Sequence, residues 1–396
     1  DERQHSMKTE ALIYEFDRKV NRFHTNSEKY DGASKFAPNA PKDKIPLWIA
    51  DMDFQTAPEI IEAMQKRVEE GIFGYTNIYD SSYYEAVGGW MEKRHGWKVK
   101  QEEIVLDSGV VPAVLHALSL MAQPGDGVIL HTPSYTPFYN SIRTQGMRTV
   151  FSPLLLKNGR YEIDLEDLEK KASDPENKVL IFCSPHNPSG RVWTREELTA
   201  VMEICRKHHV SVISDEIHGD LLRAGRTHLS LAGLFPEEKR LIVCTSPSKT
   251  FNLAGNHLAN IIIPDREIRE EWEKRYHYMP NPISVAATVA AYTRAEGWAD
   301  ALNQYLDGTF QMMEQYIKSH MTGVSFTVPE GTYLAWIDMR NCGLAHKEMV
   351  NRFLKNGLLI EGGEQFVADG EGFVRMNIAA PRCVIQEALE RMSTLF

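Results

Sequence analysis

Asn187 in SPHNPSG, Asp215 in VISDEIHGD and Lys249 in SPSKTFN each follow a short apolar run, so an amide, a carboxylate and an amine recur at one kind of position. A lysine amine can bond covalently to a carbonyl and carry a proton to or from carbon. A carboxylate can hold a cation, and an amide can donate to an oxyanion. Taken singly, each residue also has an ordinary structural use. Asn-Pro is turn chemistry, an Asp after a strand caps a helix, and most lysines are solvated. Asp215, Glu216, His218 and Asp220 crowd together as if around a metal, but they lack spacing of the HExxH kind, and no metal is expected. His208-His209 closes a helix, where the dipole favours cations, and reads as structural.

To act together these residues must be brought to one edge of a scaffold, and the apolar runs before them supply it. Gly127 to Leu130, Val179 to Cys183, Val210 to Ile213 and Leu241 to Cys244 each stop at turn residues, and Leu258 to Ile263 reads as one more buried strand. Continuous apolar runs of this length suit strands covered on both faces of a mostly parallel sheet. Between them lie helical patterns. Thr194 and Glu197 form a capping box, followed by Leu198, Val201, Met202 and Cys205 at helical spacing. Pro58 to Glu70 puts Ile61, Met64 and Val68 on one helical face. Strand, helix, strand in this order implies right-handed crossovers and an open α/β sheet, whose ligand sits beyond the carboxyl ends of the strands.

The rest of the chain divides around that sheet. Residues 1–56, rich in charge, Pro and Asn, read as an arm and part of a smaller domain; 57–284 read as the large domain and 285–396 as the small one. Val285 to Met321 is mostly helical, Tyr333 to Met339 and Phe373 to Ile378 are strands, and Ile385, Ala388, Leu389 and Met392 mark a closing helix. Residues Asp1 to Ser6, ahead of Met7, read as a cloning remnant, and the pattern of a secretory signal is absent.

Composition narrows the function. The 396 residues are 43% hydrophobic and 25% charged, the balance of a soluble protein with a large core. A net charge of −10 argues against nucleic acid, and no apolar run is long enough to span a membrane. Five scattered cysteines without a CxxC pair fit a reducing cytoplasm, not a disulfide framework or a zinc site.

In this order and context the segments WIADMDFQTAP, FGYT, SGVVPAV, HTPSYTPFY, SPHNPSGRVW, SDEIHGD, SPSKTFN, EGTYLAWID and GFVRMNIAAPR resemble the fold-type-I pyridoxal-phosphate enzymes. Within them the chain is most similar to the cystathionine β-lyase / C–S lyase branch, the MalY/PatB type, from about Pro46 to the C-terminus. The resemblance implies an aminotransferase-like α/β large domain with a smaller α+β domain. It also implies pyridoxal 5′-phosphate held by Lys249 as a Schiff base, with Asp215 on the pyridinium nitrogen. Asn187 would donate to the phenolic oxygen and Tyr135 would stack on the ring. The amides of Gly109, Val110 and Val111 at a helix N-terminus, with the hydroxyls of Ser246 and Ser248, would hold the phosphate. Tyr75 would reach the phosphate of a neighbouring subunit, which implies a homodimer with shared active sites. Arg375, sharing a strand face with Phe373 and Asn377, would grip the substrate α-carboxylate together with Asn187.

Two departures stand out. Where many aminotransferases carry a phosphate-binding arginine, eight residues after the lysine, this chain has His257, and IEGGEQF at Ile360 to Phe366 differs from the family's usual wording. The implied reaction is α,β-elimination on L-cystathionine or an L-cysteine-type amino acid, giving thiol, pyruvate and ammonia. Lys249 would take the Cα proton, and the departing sulfur would be protonated by Lys249 or by a tyrosine. The alternatives are a pyridoxal-phosphate aminotransferase using the same residues, and a cofactor-binding regulator with incidental lyase activity.

Overall fold

A computed structural model describes residues 14–396; the segment ahead of Met7 lies outside the described residues. Seven strands form the central sheet: β1 (Ile104–Asp107), β2 (Gly127–Thr132), β3 (Arg148–Pro153), β4 (Asn177–Cys183), β5 (Ser211–Asp215), β6 (Leu241–Thr245) and β7 (Ala259–Ile262). Their spatial order is β1-β7-β6-β5-β4-β2-β3. Strands β2 to β6 run parallel, and β7 pairs antiparallel with both β1 and β6. The expected apolar runs are these strands, and every residue of β2 and of β6 is buried. Register matters more than membership. Cys183 of β4 is level with Asp215 of β5, which is level with Cys244 of β6. The segments leading to Asn187, Asp215 and Lys249 therefore leave the sheet side by side.

Helices cover both faces. In Arg195–Lys207 the Thr194 hydroxyl accepts the Glu197 N–H at 3.2 Å and the Glu197 carboxylate accepts the Thr194 N–H at 2.8 Å, the reciprocal cap expected. Leu198, Val201, Met202 and Cys205 form its buried face. The helix Pro58–Glu69 differs from expectation: it buries Ile60, one position off the Ile61, Met64 and Val68 stripe, and Val68 is 48% exposed. The helical stretch expected over Val285 to Met321 is two helices, Pro282–Arg294 and Glu296–His320, broken at Ala295. The first packs on Pro58–Glu69 and Ser82–His95, and the second on the closing helix Arg382–Ser393.

A second sheet has four strands: β8 (Ser325–Phe326), β9 (Leu334–Asp338), β10 (Glu361–Gly362) and β11 (Phe373–Asn377), in the order β8-β9-β11-β10 and all antiparallel. The arm lies beside it: Ile45–Pro46 and Leu358–Leu359 form a separate parallel pair, and the Asn377 backbone N–H donates to the Leu47 carbonyl at 2.9 Å. From there residues 47–56 run as a strap between the two sheets. On one side the Asn377 side-chain N–H groups donate to the carbonyls of Ile49 and Asp51, at 2.7 and 2.6 Å. On the other, Asn252 accepts the Met52 N–H at 3.0 Å and donates to the carbonyls of Met52 and Phe54, at 3.0 and 2.9 Å. Asn252 sits at φ 56°, a left-handed conformation that Asn tolerates better than most residues.

Asn252→Ala is expected to lower unfolding free energy in urea by about 2 kcal/mol, since the strap loses three hydrogen bonds and alanine is strained at that φ. A loss under about 0.5 kcal/mol would show that the tie contributes little.

Candidate active site

A cavity of about 100 Å³ opens between the carboxyl ends of the parallel strands and the strap. Lys249, Asp215, Asn187, Tyr135, Val110 and Val111 line it, so most of the residues singled out in the sequence meet there. Arg375 adjoins through Asn187, whose Oδ1 accepts its Nη1 at 3.1 Å. The Lys249 amine donates to the Ala50 carbonyl at 2.5 Å, and the same carbonyl accepts the Tyr333 hydroxyl at 2.8 Å. Burial and the positive charge of Arg375 bring the Lys249 ammonium down to about 8. A fraction of unprotonated amine is therefore present near neutral pH.

Asp215 ends β5, is 5% exposed and accepts the Ile217 N–H at 3.1 Å. It forms no ion pair among the described residues. Burial pushes its carboxyl up to about 7, against the opposing pull of that N–H and of Lys249. Cys183, beside it, stays a neutral thiol because burial and the Asp215 charge both disfavour the thiolate. His218 also lines the cavity, and burial followed by the charges of Lys249 and Arg375 depresses it to about 3, so its imidazole is neutral.

Local structure explains these placements. Asn187 sits in a loop whose Arg191 is tied to Glu330 at 3.0 Å and to Glu197 at 2.8 Å. The His186 N–H bonds back to the Arg191 carbonyl at 2.9 Å, which closes the loop on itself. Tyr135 is the N-terminal flanking residue of the helix Thr136–Thr144. Gly109 starts the helix Val110–Met121. Asp107 steadies that turn by accepting the Ser108 N–H at 2.7 Å and pairing with His116 at 2.6 Å. First-turn amides have no partner within their own helix, so those of Gly109, Val110 and Val111 are available to an anion.

The other expected contacts are arranged differently. The Ser246 hydroxyl donates to the Leu258 carbonyl at 2.9 Å and accepts the Ser248 N–H at 3.1 Å, so its proton is directed away from the cavity. Ser248 is half-buried beside it. Tyr75 is 98% exposed and stands outside the cavity. Glu216 and Asp220 point into separate surroundings: Glu216 pairs with His228 at 3.1 Å and Asp220 with His95 at 2.7 Å. No group of three metal-binding side chains occurs among the described residues. Sequence reasoning passed over Ala50, Tyr333 and Glu361. The last is cross-strand from Arg375, with its carboxylate 2.5 Å from Nη2.

The sequence pattern of the aminotransferase class I and II family matches residues 42–392. Cystathionine beta-lyase PatB of Bacillus subtilis is 39% identical over 383 residues, covering 95% of this chain and 98% of PatB. Protein MalY of Escherichia coli is 30% identical over 384 residues, covering 95% and 97%. The crystal structure of the PLP-bound C–S lyase from Staphylococcus hominis superimposes with a TM-score of 0.92 at 38% identity, over 96% of this chain and 98% of that one. The chain belongs to the aminotransferase class I and II family, in the branch that holds PatB and MalY.

The cavity's own groups fit pyridoxal phosphate. A buried carboxylate lacks a cation, an amine of lowered proton affinity faces the same space, and helix-start amides border it.

Asp215 yields a test that needs no cofactor. Its folded value lies above that of the unfolded chain, so the unfolded chain releases the proton first and stability falls as pH rises from about 4 through about 7. Asp215→Asn removes that burden. The cofactor-free variant is expected to melt higher than the cofactor-free parent at pH 8, with the gap narrowing as pH falls and closing near pH 4. A lower melting temperature at pH 8 would contradict the buried, unpaired carboxylate.

Proposed function

We propose that this protein is a pyridoxal-phosphate-dependent carbon–sulfur lyase that performs α,β-elimination on L-cystathionine or L-cysteine-type amino acids. The observation that carries the proposal is the convergence of Lys249 and Asp215 on one cavity, in a chain 39% identical to a cystathionine beta-lyase. When bound, pyridoxal phosphate supplies an aldehyde for covalent attachment and a cationic ring that draws electron density from the substrate's Cα.

The chain's own residues do the remainder. Lys249 is the attachment point, and its amine, held at the cavity wall by the Ala50 carbonyl, is the base for the Cα proton. Asp215, which has no protein cation, keeps the ring nitrogen charged. Asn187 would donate to the phenolic oxygen, and Tyr135 would cover the ring face, for both line the cavity. The amides of residues 109–111 would hold the phosphate, with the Ser248 hydroxyl as a further donor. Arg375, steadied by Asn187 at 3.1 Å and by the Trp48 carbonyl at 3.0 Å, grips the α-carboxylate. As the proton leaves Cα, the bond from Cβ to sulfur breaks. The thiolate takes a proton from Lys249 or Tyr135, whose hydroxyl burial keeps protonated. Water completes the balance, releasing pyruvate and ammonia.

The working unit is a homodimer with shared active sites. Val68, Ile72, Phe73, Tyr75 and Tyr79 are 48 to 98% exposed, an apolar surface that a second copy would cover while bringing Tyr75 to its phosphate. The large domain spans residues 57–284 in this reading, and Pro282–Arg294 packs on its helices before the break at Ala295. No described helix is long and apolar enough to cross a membrane; the scattered, unpaired cysteines support a cytoplasmic place of work.

The deciding experiment measures thiol and pyruvate from cystathionine, cysteine, cystine and methionine with no keto acid added. Product from the first two is expected, and a strict need for a keto-acid acceptor would make the protein an aminotransferase. Lys249→Ala is expected to purify without the cofactor's visible band and to lose elimination entirely. In the parent protein stripped of cofactor, the rate of covalent recapture should rise with pH and level off near about 8. A rate still climbing at pH 10 would mean an ordinary solvated lysine.

A further inference from the structure

Arg375 is 3% exposed, and both of its terminal nitrogens are engaged. Nη1 donates to Asn187 and Nη2 to the Trp48 carbonyl, while Nε is buried without a partner among the described residues. Its ion-pair partner among the described residues is Glu361, whose Oε2 is 2.5 Å from Nη2. This contact follows from register. Glu361 on β10 is the direct cross-strand neighbour of Arg375 on β11, so the two side chains share a face. A substrate carboxylate gripped in bidentate fashion needs two parallel N–H groups on one guanidinium edge. Nη2, one of the two atoms of the Nε–Nη2 edge, already faces a carboxylate.

We propose that Glu361 sets substrate affinity by competing with the substrate α-carboxylate for Arg375. The proposal rests on the reading of Arg375 as the carboxylate clamp. Glu361 is suited to leave. It lies on the two-residue edge strand β10, followed by Gly362 and Gly363, and its side chain is 21% exposed. In the ligand-free protein it keeps a buried guanidinium from standing without a counter-charge, which is costly. When substrate arrives, one carboxylate replaces another and Arg375 remains paired throughout. The exchange lowers apparent affinity by the fraction of molecules in which Glu361 occupies the clamp. It also discriminates, because a ligand without a carboxylate cannot displace Glu361.

The test uses the cofactor-loaded protein and 3-(methylthio)propanoate, a thioether carboxylate that lacks the amine and so cannot replace Lys249. Glu361→Gln should tighten its dissociation constant, measured by titration calorimetry, by about tenfold if Glu361 holds the clamp in nine molecules of ten. KM for cystathionine should fall in parallel. The melting temperature without ligand should drop, and the rise on adding ligand should exceed that of the parent. Glu361→Ala provides a second measurement should the glutamine hydrogen-bond to Arg375 in place of the carboxylate. Unchanged or weaker affinity in both variants would overturn the proposal. Arg375→Gln separates the two readings: loss of ligand binding there without tightening in the Glu361 variants would fell the competition alone. Ligand binding by Arg375→Gln at parental affinity would fell the clamp and the competition with it.

Discussion

The Ala50 carbonyl is where the two sheets of this protein meet the chemistry. It accepts the Lys249 amine from one side and the Tyr333 hydroxyl from the other, and it belongs to neither sheet. A lysine on four methylene groups has ample rotamer freedom, and one strong acceptor fixes where the amine waits. That acceptor must itself be fixed. Asn377 and Arg375 bind the carbonyls of Trp48, Ile49 and Asp51 from the second sheet, while Asn252 grips residues 52 and 54 from the lysine's own loop. Position of the strap and position of the amine are one variable. Any shift of one sheet against the other moves the carbonyl, and with it the amine.

The electrostatics of the cavity follow from the same crowding. Lys249, Arg375 and Asp215 are brought close to one another with little water, and each resists its charged form or leans on a neighbour. Burial and Arg375 weaken the lysine's hold on its proton, and burial, with the Glu216 charge adding to it, lifts the carboxyl of Asp215 to about 7. The ligand-free site thus holds two groups poised near neutrality. Such poise is unfavourable for folding and useful for binding, because a ligand bearing a cation and a carbonyl relieves both. Arg375 is spared by Glu361.

The sheet and its helices were legible because local chemistry and tertiary use agree. Thr194 and Glu197 cap their helix whatever packs on it, and runs such as Val179 to Cys183 have no stable place except inside a sheet. Asn187, Asp215 and Lys249 could be found because each follows such a run. The strap could not be read this way: it acts through main-chain carbonyls, which every residue possesses, so the identity of Ala50 carries no signal. Glu361 was hidden for a related reason, since only register sets it opposite Arg375 and β10 is two residues long. The mistaken face of Pro58–Glu69 has another origin. Its stripe enters the core only in part: Met64 packs against it, Ile61 is half-buried, and Val68 is exposed along with Ile72 and Phe73. Periodicity finds an apolar face and cannot tell which neighbour will cover it.

The charged arm shows why composition alone misleads. Its abundance of charge suggests a solvated surface, yet Lys29 is completely buried, 3.1 Å from Asp53. Arg22 spans Asp51 and Asp53 at 2.7 and 2.8 Å, and the Tyr30 hydroxyl donates to Asp53 at 2.9 Å. Apolar side chains in these places would bury as much surface without the desolvation cost of the ions. They would, however, permit sliding, whereas a guanidinium shared between two carboxylates two residues apart allows one register only. Asp51 follows Ala50 directly and Asp53 comes two residues later. The buried ion network is therefore best understood as what stops the strap from slipping along its own axis, leaving the asparagines to fix it sideways and the Ala50 carbonyl with a single place to be.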